Sequence, residues 1–251
     1  MKALITGASS GIGREMARIL SGKGYDLILT ARRTSRLEEL QKELKTNVKL
    51  ITADLSDEKS CFELYEKTKG ESVDILINCA GFGLFGPFAE TDLDRELQMI
   101  NVNIRALHIL TKLFYRDFLK KDSGYILNVA SSAAFQPGPL LSSYYASKAY
   151  VLRLTEALDE ELRKSGSHVY IGALCPGPVD TEFNNVADVK FGLKGLSAQA
   201  VAGYALDKMF ARKTVIIPGT TMKAAHFLER FVPEKAIVHA AYHFQKKKAD
   251  Q

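Results

Sequence analysis

Short apolar runs alternate with longer amphipathic ones through the first third of the chain. Ala3 to Thr6 precedes Gly11 to Leu20, Leu27 to Thr30 precedes Thr34 to Leu44, and Val48 to Thr52 precedes Ser56 to Thr68, with Val73 to Ile77 next in line. Runs of this kind, buried on both faces and separated by stretches long enough for a helix, predict parallel strands joined by crossover helices. Tyr125 to Val129, Val169 to Leu174 and Val215 to Ile217 continue the series, which gives an expected α/β fold with one doubly wound, seven-stranded parallel sheet. No linker, internal repeat or low-complexity tract divides it. At 251 residues the chain is read as a single domain, with the sheet-forming part over 1–218 and a C-terminal helical extension over 219–251.

The turn after the first strand gives the sheet a purpose. Thr6 to Gly13 reads TGASSGIG, so Gly7, Ser9, Ser10, Gly11, Ile12 and Gly13 stand between the first strand and the first helix. Glycines there allow a tight turn and bring backbone and helix N-terminus close to a pyrophosphate, whose charge the helix dipole favours. A Rossmann fold binding a dinucleotide is therefore expected. The spacing is GxxxGxG instead of the general GxGxxG. An NAD enzyme would place a carboxylate at the end of the second strand to hold the ribose 2′-hydroxyl. Here the strand runs into Ala31, Arg32 and Arg33, and Asp26 lies at its other end. A guanidinium is a bidentate phosphate partner, so the reading is NADP(H). The alternative is that Arg32, Arg33 and Arg36 only form a solvated helix start.

A second cluster carries reactive groups. In Ser131 to Lys148 (SSAAFQPGPLLSSYYASK), Tyr144 and Lys148 are four residues apart, which stacks them on one helical face. A free phenol holds its proton to about pH 10. An ammonium roughly 4 to 5 Å away, at an effective dielectric of about 20, would stabilise the phenolate by about 4 kcal/mol, or about three pKa units. Tyr144 then becomes a candidate general acid/base.

Composition excludes several other classes. With 46% apolar and 25% charged residues and a net charge of +5, the chain has no concentrated basic array with stacking aromatics, so nucleic acid is not an expected partner. Cys61, Cys79 and Cys175 have unrelated spacings that suggest neither disulfides nor zinc. Met1 leads directly into a strand-like segment, and no run approaches the length of a membrane span, so a cytoplasmic location is expected. A helix from Arg95 to Leu119 is apolar nearly all round, with Arg105, Lys112 and Arg116 as a narrow polar stripe. Burial on both sides is expected of it, by the sheet and by a second subunit, in a homodimer or homotetramer; the C-terminal helices are the alternative cover. In the tail, a helix from Met222 to Val232 is expected to break at Pro233, and another runs to Lys248. Its basic amphipathic end is read as packed and solvated, with peripheral membrane contact as the lesser alternative. His239 and His243 have helical ligand spacing but no third ligand, so no metal is expected.

Taken together, TGASSGIG, Asn78 to Gly81 (NCAG), Asn103, Ser131, Tyr144 with Lys148, and Pro176 with Gly177 resemble the short-chain dehydrogenase/reductase family in its compact form. The resemblance reaches to about residue 218. It implies that Tyr144 protonates a substrate carbonyl while hydride arrives from the nicotinamide. By the same resemblance Ser131, thirteen positions upstream of Tyr144, orients that carbonyl, and Asn103 holds a water behind the lysine. Lys148 also holds the nicotinamide ribose, and Asp54 and Leu55 match the adenine contact. Asn78, Ala80 and Gly81 match the fourth-strand motif, while Pro176, Gly177, Val179 and Thr181 match the segment at the carboxamide. Cys79 departs from the family, which has an asparagine there, and a thiol is a poor hydrogen-bonding substitute. Tyr145 is read as a packed neighbour of the catalytic residue.

Enoyl reductases of the family leave six residues between tyrosine and lysine, and Leu141 occupies that position here, which favours C=O over C=C chemistry. Epimerases of the family carry a larger C-terminal domain. Around the expected mouth stand Phe82, Leu84, Phe85, Phe88, Phe135, Leu140 and Leu141, followed by Phe183, Val186, Val189, Phe191 and Leu193. Such a lining favours a hydrophobic ketone, aldehyde or alcohol as the small-molecule substrate. The reading is an NADP(H)-dependent carbonyl reductase; the alternative class is an NADP(H)-binding sensor or scaffold without turnover.

Overall fold

The computed structural model describes residues 1–183 and 195–249. Seven parallel strands form the main sheet in the order β3-β2-β1-β4-β5-β6-β9. They are β1 (Lys2–Thr6), β2 (Asp26–Ala31), β3 (Val48–Thr52), β4 (Ile75–Asn78), β5 (Tyr125–Val129), β6 (Tyr170–Leu174) and the edge strand β9 (Val215–Ile216). The chain winds outward from β1 to β3, then crosses back to β4 on the other side of β1. The reversal of strand order opens a crevice between β1 and β4 at the carboxyl ends of the strands, where such sheets bind ligands.

Strand alternation explains why both faces are covered. Ala3 and Ile5, Leu27 and Leu29, and Ile75 and Ile77 pack towards α1 (Gly11–Gly22), α2 (Thr34–Glu43) and α7 (Ala198–Phe210). Leu4, Ile28 and Leu76 point the other way, towards α3 (Glu58–Glu66) and α5 (Leu107–Lys121). All of these strand residues are fully buried. Each contributes about 1.5–3 kcal/mol if aliphatic and large, so both helical layers are held by the hydrophobic effect from one set of strands.

Two features differ from the sequence expectation. The predicted single helix from Arg95 to Leu119 is α4 (Leu93–Ile100), a π turn (Asn101–Ala106) and α5 in continuous succession. The widened turn holds Asn103 inward, fully buried, where its amide meets the backbone of Phe82. On α5, Leu107, Leu110, Phe114 and Phe118 are buried while His108, Lys112 and Arg116 are exposed, as is Arg105 in the π turn, and Ile109 and Leu113 are half-buried. The second difference is a small parallel pair, β7 (Val179–Asp180) with β8 (Leu196–Ser197), too short to leave a sequence pattern.

The helix α6 (Ser142–Ser165) buries Tyr144, Ser147, Lys148, Val151, Leu152 and Thr155 on one face, at spacings of three and four. Beyond β9, α8 (Thr220–Glu229) and α9 (Glu234–Ala249) are separated at Pro233, as the sequence predicts. No helix among the described residues is long and apolar enough to cross a membrane.

Candidate active site

A cleft of about 510 Å³ follows the crevice between β1 and β4. At its first end lies the glycine-rich turn. Gly7 has φ +67°, and a Cβ there would sit 2.8 Å from the Cα of Ala80, so only glycine allows the turn to close against the segment after β4. Ser9, Ser10, Gly11 and Ile12 line the cleft with Gly7, whereas Gly13 stands behind them, packed on the carbonyl of Gly7. The methyl of Thr181 approaches Gly11 from the opposite lip.

The opening between β2 and β3 is also part of the cleft. Arg32 lines it, exposed, with no hydrogen bond or ion pair among the described residues. Arg33 lines it too but is engaged: Nη2 donates to Ser9 Oγ at 3.1 Å and Nη1 to Glu182 Oε2 at 2.9 Å. Asp54 lies at the rim, its Oδ1 accepting from the backbone N–H of Ser56 at 3.0 Å, and Leu55 beside it is buried.

Below the centre, the turn after β4 is held by a residue that sequence reasoning passed over. Thr6 Oγ1, at the end of β1, accepts the backbone N–H of Cys79 at 2.9 Å and of Ala80 at 3.0 Å. The strand support placed in question by Cys79 therefore comes from β1, and the Cys79 thiol is half-buried against the cleft, pushed up to about 11 by burial. Asn78 does not reach the cleft. Its Nδ2 donates to Thr111 Oγ1 at 3.0 Å and Asn128 Oδ1 at 2.9 Å, and Asn128 donates in turn to Thr155 Oγ1. This buried network ties β4 and β5 to α5 and α6.

Asn103 also stands behind the cleft. Its Nδ2 donates to the carbonyl of Phe82 at 2.9 Å and to Ser147 Oγ at 3.1 Å, and its Oδ1 accepts from the N–H of Phe82 at 3.1 Å. A Cβ on Gly81 would lie 2.9 Å from that Oδ1 and 3.3 Å from Lys148 Nζ, so the two side chains converge under a glycine that must stay bare.

Ser131, Tyr144 and Lys148 all face the cleft. Ser131 caps the short 3₁₀ turn Ser132–Phe135, accepting the N–H of Ala133 at 3.1 Å, and hydrogen-bonds the Tyr144 side chain. Ser132 lines the cleft but has no hydrogen bond to that phenol. The expected electrostatics differ in one respect. Lys148 Nζ is buried, donates to the carbonyl of Val129 at 2.9 Å and lies 5.8 Å from the centre of the Tyr144 ring. Burial dominates both groups: it pushes the Tyr144 phenol up to about 12, against the opposing hydrogen bond from Ser131, and pushes the Lys148 ammonium down to about 8. Spacing alone leads to the expectation that the ammonium depresses the phenol; desolvation sets the direction instead, and Lys148 is not among the groups that shift it.

Pro176, Gly177, Val179 and Thr181 form the facing lip after β6. At the far end the wall is apolar, with Phe82, Leu141 and Phe183 from the expected set; the Phe183 ring centre is 5.3 Å from that of Tyr144. Phe135 instead turns away to stack on His226, Phe88 is exposed, and Leu84 and Phe85 pack behind the wall. Val186, Val189, Phe191 and Leu193 lie outside the described residues. The C-terminal helices supply the remaining wall with Met222, Ala241, Phe244 and Gln245, none of which was assigned to the site from sequence. Tyr145 is more than a packed neighbour, because it lines the cleft and its hydroxyl accepts a hydrogen bond from Gln245 Nε2. His239 and His243 face each other at 3.0 Å, and no group of three potential metal ligands occurs among the described residues.

A family profile of short chain dehydrogenases matches residues 1–191. An oxidoreductase of Staphylococcus saprophyticus is 36% identical over 192 residues, covering 74% of this chain and 81% of its own. Among solved structures, a short-chain dehydrogenase from Sphingobium yanoikuyae in complex with NADPH superposes with a TM-score of 0.81 at 30% identity, covering 93% of this chain and 96% of that one. A short-chain dehydrogenase/reductase from Burkholderia phymatum in complex with NAD gives 0.82 at 25% identity, covering 90% and 92%. With the profile spanning most of the chain and the sheet order, glycine turn and tyrosine–lysine helix in agreement, this chain belongs to the short-chain dehydrogenase/reductase family of oxidoreductases.

Proposed function

We propose that the protein is an NADP(H)-dependent reductase of a hydrophobic ketone or aldehyde, reversible as an alcohol dehydrogenase. The observation that carries this reading is the convergence of Ser131, Tyr144 and Lys148 in one cleft whose other end is the glycine-rich turn with Arg32 and Arg33 beside it. The cofactor fits the residues present. The turn leaves room for a pyrophosphate at the N-terminus of α1, and Arg32 is an uncommitted cation where a ribose 2′-phosphate would lie. When bound, the nicotinamide supplies the hydride.

The chain's own residues handle the proton and the orientation. With its phenol near 12, Tyr144 enters at neutral pH in the protonated form that a carbonyl reduction requires of its acid. Ser131 donates to the developing phenolate or to the carbonyl oxygen, and Lys148, still charged below about 8, supplies the positive field for both. Asn103 positions Lys148 and the turn at Gly81, because its side chain is fully engaged by Phe82 and Ser147. Gly13, Ala80 and Gly81 shape the turn and Asn78 braces the strand that leads to it; Asp54 and Leu55 would hold the adenine of a bound dinucleotide, and Pro176, Gly177, Val179 and Thr181 its carboxamide. Residues 1–218 are read as the part that carries the site, and 219–251 as a C-terminal helical extension of the same domain. The half-buried Ile109 and Leu113 on α5 support association into a homodimer or homotetramer, and the protein is read as cytoplasmic.

Turnover of diketones or aromatic aldehydes with NADPH tests the reading. The purified protein should consume NADPH, and Tyr144→Phe should lose turnover by about 10²-fold or more while still binding the cofactor. Binding without turnover in the wild type would leave only a sensor.

A further inference from the structure

The adenosine end of the cleft contains an anion of the chain's own. Glu182, on the lip that follows β7, spans to α2 and its approach: Oε2 accepts from Arg33 Nη1 at 2.9 Å, and Oε1 is paired with Arg36 Nη1. Arg33 is held at the same time from below by Ser9 of the glycine-rich turn. Glu182 itself lines the cleft. The carboxylate thus engages two guanidiniums in the region where a 2′-phosphate would need them, and Arg32 alone of the three lacks a partner among the described residues.

We propose that Glu182 is a specificity-determining residue, an internal competitor that occupies Arg33 and Arg36 and so limits how strongly the cleft favours a 2′-phosphorylated dinucleotide over its unphosphorylated counterpart. This deepens the NADP(H) reading and rests on it. The geometry is that of a stand-in: a carboxylate and a phosphate present similar paired oxygens to a guanidinium fork, so both use the same donor edge. A phosphate arriving at Arg33 must share that fork or displace Glu182, and until it does so the two anions repel. Three guanidiniums and one carboxylate give +3 − 1 = +2; replacing Glu182 by a neutral amide gives +3. All three paired side chains are about two-fifths exposed, at 43% for Arg33 and 40% for Arg36 and Glu182. The clasp is therefore of the solvent-screened kind that an incoming dianion can open. The Glu182 carboxyl is held below its ordinary range by Arg36 and Arg33, so it remains an anion throughout the neutral range. An unphosphorylated dinucleotide offers nothing to either arginine and is indifferent to the contest.

The test compares dissociation constants of NADPH and NADH, read from nicotinamide fluorescence, for wild type and Glu182→Gln at two salt concentrations. Glu182→Gln should bind NADPH about three- to tenfold more tightly and NADH within about twofold of wild type, with the gain shrinking as salt rises. In a background carrying both Arg33→Ala and Arg36→Ala the same replacement should change NADPH binding by less than about twofold, which distinguishes release of the two guanidiniums from a general change in charge. Equal changes for both cofactors, or weaker NADPH binding in Glu182→Gln, would overturn the proposal. The inference is read from the change in the NADPH to NADH ratio, whereas the cofactor reading is decided by the wild-type ratio, so each can fail without the other.

Discussion

Gln245 of α9 donates a hydrogen bond from Nε2 to the hydroxyl of Tyr145, the neighbour of Tyr144, at 2.9 Å, and Gln245 is itself buried. The contact joins α9 to α6, the helix that carries Tyr144. Met222, Ala241 and Phe244 line the far wall of the same cleft. Gln245→Leu keeps much of the volume but leaves the Tyr145 hydroxyl without this donor. The expected outcome is a loss of about 1–3 kcal/mol in stability and a raised KM for large apolar ketones, with NADPH affinity unchanged. Denaturant melts and steady-state kinetics with a small and a bulky ketone check it.

Lys148 makes stability depend on pH in a definite direction. Burial lowers its folded value from 10.5 to about 8, so between those limits the unfolded chain binds the proton that the folded chain has released. Stability from this group therefore rises with pH across that window, by up to about 3 kcal/mol, and the cost of the buried charge is fully present below about pH 8. Above pH 10 the raised Tyr144 phenol acts in the opposite sense. Urea melts from pH 7.5 to 9.5 should show a slope that is more positive in the wild type than in Lys148→Met, the buried thiols of Cys61, Cys79 and Cys175 pulling stability down in both as pH rises past 9. Identical slopes would contradict the assignment of the shift to this residue.

Thr6→Val removes one oxygen that accepts two backbone N–H groups, those of Cys79 and Ala80. Two half-buried donors are left unmatched, and a loss of about 1–3 kcal/mol is expected, together with weaker cofactor binding. Thr6→Ser should restore most of both. Calorimetric melts and NADPH titration of the two variants provide the comparison.

Arg32→Ala should weaken NADPH binding by about tenfold or more and leave NADH binding nearly unchanged, because its guanidinium is exposed at the cleft without a competing partner among the described residues. An equal effect on the two cofactors would defeat the phosphate assignment at this position.

The sheet was readable because its strands are buried on both faces and bounded by turn residues, as in Tyr125–Val129, whose observed limits match the sequence reading. The glycine turn and the Tyr144–Lys148 helix were readable because their function depends on local spacing. The π turn around Asn103 was not, since a helical pattern carries no sign of one extra residue in the ladder. The roles of Thr6, Glu182 and Gln245 depend on partners 73, 149 and 100 positions away, which no window of sequence brings together. The pKa balance was misjudged for a related reason: spacing gives the distance between two charges along a helix, but desolvation depends on everything else packed around them.

The nucleotide end of the cleft and its far wall have separate origins. The first is made by the carboxyl ends of the central strands and stitched by the hydroxyl of Thr6; the second is completed by α8 and α9, which belong to no strand of the sheet. Mutations at Met222, Ala241 or Phe244 can accordingly redraw one wall while the strand ends stay as they are. A lineage built on this plan can diversify its chemical taste by tinkering with α8 and α9, inheriting the strand-end half of the cleft intact.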